Sequence, residues 1–253
     1  MATAERDIMG GLAKGLLAIE TFTAERPRQS IAEVATASGL DRATARRCLL
    51  TLSHFGYADY DGKYFTLTPR VLRLGTACLA TMPLPQVIQP LLDQLSNQLG
   101  ESSSVSILDG SEIVYVARAA QRKVMSIGLM PGSRLPAFCT SMGRVMLAAL
   151  PEAEARAVLA STPLLARTSH TITAIPALMA ELARVREAGF ALIDQEVELG
   201  LRSIAIPLFN ARGAVVAALN VGVAATQARS EELTTLYLPA LKLVQDQLRA
   251  LLS

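Results

Sequence analysis

The sequence predicts an α+β protein in two parts: a small helical unit closed by a two-stranded ribbon, then a larger unit built on an antiparallel sheet flanked by helices. Three observations predict it. Residues 30–57, "SIAEVATASGLDRATARRCLLTLSHFGY", run through a short capped helix, a glycine stop and a longer helix. Directly after them "YADYDGKYFTL" alternates around Asp61-Gly62, the strongest short-range hairpin signal a sequence gives. Beyond "MPLPQ", whose Pro83 and Pro85 read as a boundary, hairpin signals outnumber strand-helix-strand crossovers, which favours an antiparallel sheet.

Each element has its own reason. Leu12, Leu16, Leu17, Ile19 and Phe22 recur at helical spacing, so 10–24 reads as an amphipathic helix ended by the "ERPR" turn. Ser30 with Glu33 makes a capping box for a short helix whose apolar face is Ile31, Val34 and Ala35, and Gly39 stops it. Asp41 then caps a helix in which Ala45, Cys48, Leu49, Leu52 and Phe55 should face inward, up to Gly56. The hairpin follows, and 69–81 reads as a further helix. In the second part, helices are expected near 84–99, 140–150, 152–159 and 175–188. Strands are expected at 103–108, 112–119, 125–129, 190–194, 202–209 and 214–223. The last two strands are joined by "NARG", and Ser230 should cap a closing helix to Leu252. The domain division that results is 1–68, a linker helix 69–83, and 84–253.

Composition excludes several classes. With 253 residues, 51% of them hydrophobic, the chain can bury a sizeable core without staples. Its longest apolar runs fall well short of the ~18 residues of a membrane span, and "MATAERDIMGG" lacks the basic start and apolar core of a signal peptide. A cytoplasmic protein without membrane partners is expected. Cys48, Cys78 and Cys139 have no CxxC spacing and are accompanied only by His54 and His170, so neither disulfides nor zinc are expected. No metal, cofactor or catalytic residue is assigned. GxSxG, HExxH, SxxK, the P-loop pattern and GxGxxG are all absent, and neither histidine has a context that would make it a base for Cys139. Glu196 and Glu198 read as a polar strand face, and His170 as a solvated loop residue.

A net charge of +2 advertises no general affinity for nucleic acid, so any such function needs a local concentration of charge. The stretch from Arg42 to Gly56 supplies one: Arg42, Arg46 and Arg47 with no acid among them. On a helical wheel whose core stripe centres near Ala45 and Leu52, Arg46 and Arg47 fall on the opposite half with Ala43 and His54, and Arg42 and Thr44 flank that half. Three arginines alone would be an ordinary solvated face. Set in a short helix, glycine turn, longer helix and ribbon, they sit where a winged helix-turn-helix places its reading helix. The major groove, about 12 Å wide, admits a helix, and arginine can chelate guanine O6 and N7. Arg42, Ala43, Thr44, Arg46 and Arg47 are therefore the candidate DNA contacts, with Lys63 at the hairpin tip as a wing contact to the backbone. A twofold dimer would read a roughly palindromic operator. A winged helix used for protein contacts, and an enzyme fused to a helix-turn-helix, are the alternative readings.

The run from Leu12 to Leu67, with "RLPAFCTSMGRVMLA" and "EVELGLRSIAIPLFNARGAVVAALNVG", closely resembles the IclR family of bacterial transcriptional regulators over nearly the whole chain. It is most similar to the branch controlling aromatic-acid catabolism through protocatechuate, 4-hydroxybenzoate or β-ketoadipate. The resemblance implies a winged helix-turn-helix, a linker helix, a GAF-like effector-binding domain, and homodimers that often pair into tetramers on double-stranded operator DNA. It also implies an effector pocket at Ser141 and Met142, Asp194, Ser203, Asn220 and Gly222, with Asn220 standing where some members carry a small hydroxyl residue. The residues themselves support a small carboxylate as ligand. Thr140, Ser141 and Gly143 open a helix whose free N–H groups and dipole favour an anion, and Arg134 in "PGSRLP" could add a charge-assisted bond.

Overall fold

The computed structural model describes residues 8–23, 25–75, 83–121 and 128–249. The chain divides into two compact units between Thr81 and Met82.

The first unit runs α1 (Gly10–Glu20), β1 (Arg28–Ser30), α2 (Ile31–Ser38), α3 (Arg42–His54), β2 (Ala58–Tyr60) and β3 (Tyr64–Leu67). The Ser30–Glu33 capping box forms, and Gly39 takes the left-handed conformation (φ 70°) that lets the chain turn from α2 into α3. Asp41 caps α3 by accepting from the Thr44 N–H at 2.9 Å. A small core of Ala18, Val34, Ala35, Ala45, Leu49, Ala58 and Phe65 holds the unit together.

Four expectations are corrected here. The first helix ends at Glu20, where the Thr21 hydroxyl bonds back to the Ala18 carbonyl at 2.8 Å. Its leucines Leu12, Leu16 and Leu17 are exposed, because the contact with the unit is made through the small Ala18. Phe55 does not face inward but is 57% exposed as the C-cap of α3. The "ERPR" turn leads into a strand: β1 pairs with β3, making a three-stranded sheet of order β1-β3-β2. Arg28 of β1 is ion-paired with Asp61 in the hairpin turn and stacks over Tyr64, which fastens the ribbon to the helices. The expected helix over 69–81 begins as a 3-10 turn at Pro69–Val71 and is helical to residue 75; the rest lies outside the described residues.

The second unit contains α4 (Pro83–Leu99), β4 (Ser102–Asp109), β5 (Glu112–Ala119), β6 (Arg134–Pro136), α5 (Ser141–Ala149), α6 (Glu152–Ala160), α7 (Ile175–Ala188), β7 (Ala191–Asp194), β8 (Leu201–Phe209), β9 (Val215–Ala224), α8 (Leu233–Leu236) and α9 (Leu238–Arg249). The strands form one antiparallel sheet of order β6-β5-β4-β9-β8-β7. Both faces are covered. Ile88, Leu92 and Leu95 of α4 and Leu241, Val244 and Leu248 of α9 pack on Val105, Ile204, Ile206, Leu219 and Val221. On the other face α5 and α7 lay Met142, Val145, Leu178 and Leu182 against Ile113, Tyr115, Ile193, Ala205 and Ala218.

Pro83 and Pro85 lie inside the first turns of α4, where a proline removes no helical hydrogen bond, so the boundary falls just before them. The "PGSRLP" loop becomes the short edge strand β6. The closing helix is split into α8 and α9 because Pro239 has no N–H to continue the ladder. Residues 125–127 of the expected strand 125–129 lie outside the described residues, and Gly128 and Leu129 are in irregular structure.

Candidate functional site

Two places in the molecule gather the functional candidates. The first is the outer face of α3. Arg42, Ala43, Arg46 and Arg47 are all exposed, while Ala45 and Leu49 anchor the helix from beneath. Among the described residues none of these three arginines forms an ion pair, and only Arg47 has a side-chain contact, a long one of 3.5 Å to the Thr44 hydroxyl. Three unneutralised guanidinium groups on one rigid surface are disposed to meet phosphates or base edges. Thr44 does not belong to that surface: it is 6% exposed, turned inward at the first turn of α3. Lys63 is exposed at the tip of the ribbon, held over the Tyr64 ring at 5.0 Å by a turn in which Asp61 accepts from the Lys63 and Tyr64 N–H groups.

The second place is a cavity of about 290 Å³ within the second unit. It lies over the sheet face that α5 covers. Its floor is opened by a row of small side chains, since Ser102, Gly222 and Ser203 are register partners across β4, β9 and β8. The next row is polar: Arg118 of β5 opposes Ser104 of β4, which opposes Asn220 of β9. The roof is the start of α5. There Thr140 caps the helix by accepting from the Gly143 N–H at 3.2 Å, and Ser203 donates to the Ser141 hydroxyl at 2.9 Å. Gly143 is required for this roof: a Cβ there would stand 2.2 Å from the Ala137 carbonyl oxygen and 2.5 Å from Thr140 Oγ1.

Of the residues expected in a pocket, Thr140, Ser141, Met142, Ser203, Asn220 and Gly222 all line the cavity. Arg134 and Asp194 do not. Arg134 is an exposed side chain on edge strand β6, bonded to Glu112 at 2.7 Å and Asp109 at 2.8 Å, so its charge is already matched by two carboxylates away from the cavity lining. Asp194 is paired with Arg202 at 2.7 Å; burial works to raise its pKa, but the bonds from Arg202 and Gln195 win and hold it below the ordinary carboxylate range.

Sequence reasoning missed Arg118 and Tyr115. Both line the cavity although they are three positions apart on one strand, where alternation would send them to opposite faces. A β-bulge explains it: Val105 pairs with Ala117 and Ser106 with Tyr115, so Val116 is an extra residue and the register shifts. The available signal was an arginine inside the apolar run "IVYVARA". Arg118 Nη1 donates to Ser104 Oγ at 2.8 Å, whereas its Nε is buried without an acceptor among the described residues, and burial lowers its pKa from the usual guanidinium value. Asn220 Oδ1 is likewise buried and without a donor. Burial pushes the Tyr115 phenol up to about 12.

Glu196 and Glu198 are not a strand face either; they sit in the turn between β7 and β8. Glu196 is buried and accepts from Arg144 of α5 at 2.6 Å and from the Ile172 N–H at 3.0 Å, so it clamps the turn to the roof helix. Val197 and Glu198 then border the cavity. Cys139 is buried beneath the roof with its thiol pushed up to about 11 by that burial, which leaves no nucleophile at neutral pH.

The family model of the IclR helix-turn-helix domain matches residues 11–62, and that of the bacterial transcriptional regulator IclR C-terminal domain matches residues 76–249. The chain belongs to the IclR family. As a member of that family it is a transcriptional regulator, and its helix-turn-helix is a DNA-binding domain. It is 42% identical to the "Pca regulon regulatory protein" of Pseudomonas putida, across 94% of this chain and 82% of that protein. It is 37% identical to the "p-hydroxybenzoate hydroxylase transcriptional activator" of Acinetobacter baylyi, across 97% of this chain and 92% of the relative. Both relatives fall in the branch to which the sequence pointed. The crystal structure of an IclR homologue from Microbacterium hydrocarbonoxydans complexed with 4-hydroxybenzoate matches with a TM-score of 0.74 at 26% identity, covering 95% of this chain and 99% of that one. Among the described residues of this IclR-family chain, no helix is long and apolar enough to cross a membrane.

Proposed function

We propose that this regulator binds operator DNA as a homodimer, paired further into a tetramer, through the exposed face of α3 and the Lys63 wing, and that a hydroxy-aromatic acid in the cavity sets its operator affinity. The observation that carries the reading is the cavity itself. At about 290 Å³ it sits at the small end of the range for ligand pockets and suits a single ring, given that an apolar cavity of ~150 Å³ holds benzene. Its walls join apolar Leu129, Leu135, Met142 and Val197 to one cation and several hydroxyls. That is the chemistry of a small aromatic ring with a carboxylate. The names of the relatives and the 4-hydroxybenzoate bound to a homologue point the same way.

A dicarboxylate of the β-ketoadipate route is the second reading. The lining counts against it, because Glu198 borders the cavity from the β7–β8 turn while Arg118 comes from β5, so a second carboxylate would meet an acid. The ligand can shift the protein between DNA-binding states only by binding one of them better.

The test is a gel-shift titration of the promoter fragment upstream of the protein's own gene, at low ionic strength, with and without 4-hydroxybenzoate. The wild type should bind the fragment, with an affinity that changes on adding the acid. Arg47→Ala should weaken operator binding about tenfold, the order of one lost arginine contact, and leave 4-hydroxybenzoate binding intact. A wild-type protein that ignores promoter fragments with or without the acid refutes the reading.

A further inference from the structure

The cavity presents two buried polar atoms with opposite needs, and they define a ligand by its hydrogen-bond pattern. Among the described residues, Arg118 Nε is a donor without an acceptor, and Asn220 Oδ1 is an acceptor without a donor. Neither satisfies the other, although both flank Ser104 in one cross-sheet row. A buried polar group left unmade costs free energy, so each atom awaits a partner from outside the protein. Arg118 is also a half-buried cation with no ion pair among the described residues; its Nη1 is spent on the neutral Ser104 hydroxyl. By contrast Arg134, Arg144 and Arg202 are each matched by carboxylates.

The start of α5 offers a weaker anchor. The Thr140 hydroxyl occupies the Gly143 N–H, and Ser141 and Ser203 are bonded to each other at 2.9 Å.

We infer that the effector's carboxylate is held by Arg118 on β5, not by the start of α5, and that its ring hydroxyl donates to Asn220 on β9. This rests on the proposed aromatic-acid reading and adds the ligand's orientation. The carboxylate takes the free Nε–H of Arg118 in a charge-assisted bond and lies beside Ser104. The ring spans the gap left by Ser102, Gly222 and Ser203 under Met142. The bulge at Val116 is then functional, because it puts Arg118, three positions after Tyr115, on the same face as Tyr115, where strict alternation would have sent it into the opposite core.

The experiment is a ligand-by-variant matrix measured by isothermal titration calorimetry on the full chain. The probes are 4-hydroxybenzoate, benzoate, which lacks the hydroxyl, and 4-hydroxybenzamide, which lacks the charge. A charge-assisted bond of ordinary strength corresponds to about 10- to 150-fold in affinity, and a neutral one to a few-fold up to about tenfold. The wild type should prefer the acid to the amide by at least tenfold, and 4-hydroxybenzoate to benzoate by several-fold. Arg118→Gln should collapse the acid-to-amide ratio to near one and keep the hydroxyl preference. Asn220→Ala should do the reverse. If Arg118→Gln fails to fold, Arg118→Lys, which keeps the charge but loses the fork, should lower the acid-to-amide ratio about tenfold.

An acid-to-amide ratio unchanged in the Arg118 variants overturns this assignment and leaves the aromatic-acid reading standing. A wild type that binds none of the three probes removes that reading itself, and the orientation with it.

Discussion

Replacing Glu196 by glutamine removes the charge that faces Arg144 inside the second unit. Arg144 is 2% exposed and Glu196 5%, so the guanidinium stays buried after its partner is gone. It keeps the Phe138 carbonyl at 3.0 Å and Glu181 at 3.7 Å. Breaking a buried pair from one side costs about 3 to 5 kcal/mol, and the two remaining partners put Glu196→Gln near the lower end, about 3 kcal/mol. For a unit of about 170 residues, each kcal/mol moves the melting temperature by about 2 to 4 °C. The loss should therefore be about 6 to 12 °C, read by circular dichroism on the full chain as a shift of the second unit's transition. The same substitution frees the turn that carries Val197 and Glu198, so affinity for 4-hydroxybenzoate should fall as well. Arg144→Met with Glu196→Gln should cost less than the sum of the two single changes, because no orphan charge remains. A Glu196→Gln protein that melts within about 2 °C of wild type, or a strictly additive double variant, would refute the claim that this pair clamps the roof of the cavity.

Two further outcomes follow from the same roof. Gly143→Ala should destabilise the second unit by about 3 kcal/mol, the upper end of overpacking, since the new methyl meets the Ala137 backbone at 2.2 Å and not a side chain that could swing away; a urea midpoint equal to wild type would show that the 3-10 turn does not pack on α5 as described. Burial holds the Cys139 thiol at about 11, above its ordinary value near 9. A folded pKa raised in this way gives stability that is fully present below pH 9, where both states hold the proton, and lost as pH rises from about 9 through 11. Stability should therefore decline over that window, and Cys139→Ala should flatten the decline; an unchanged slope would contradict it. At pH 8 Cys139 should also resist iodoacetamide until the protein is unfolded.

What could be read from the sequence, and what could not, divides along physical lines. Caps and punctuation were legible because they act locally: Ser30 with Glu33, Gly39 and Asp41 each met the expected backbone N–H or turn. Most strands of the second unit were legible because burial on both faces leaves short apolar runs bounded by turn residues. Half-exposed and paired groups were not. Arg134 looked available because its acids, Asp109 and Glu112, come from the β4–β5 hairpin and are brought to it only by the pairing of β6 with β5. Glu196 looked like surface because its partner Arg144 lies 52 positions away. Thr44 looked like a DNA contact because a wheel at 100° per residue cannot show which flank of α3 the rest of the unit covers.

Arg118 is the most instructive miss. A period-two reading of β5 is correct on either side of the bulge and wrong across it, and the extra residue is invisible until Val105 and Ser106 are seen to pair with Ala117 and Tyr115. The bulge therefore decides which face this sequence gives Arg118: strict alternation from Tyr115 would bury the cation against the α4 and α9 core, whereas the bulge delivers it to a cavity where a carboxylate can meet it. The bulge costs the sheet a ladder position, and a binding site is the compensation that makes its retention intelligible. That argument is open to a direct check: deleting Val116 would leave Tyr115 and Arg118 two positions apart in a regular strand, with Arg118 still opposite Ser104. The preference for acid over amide should then survive in protein that folds, and its loss would refute the reasoning.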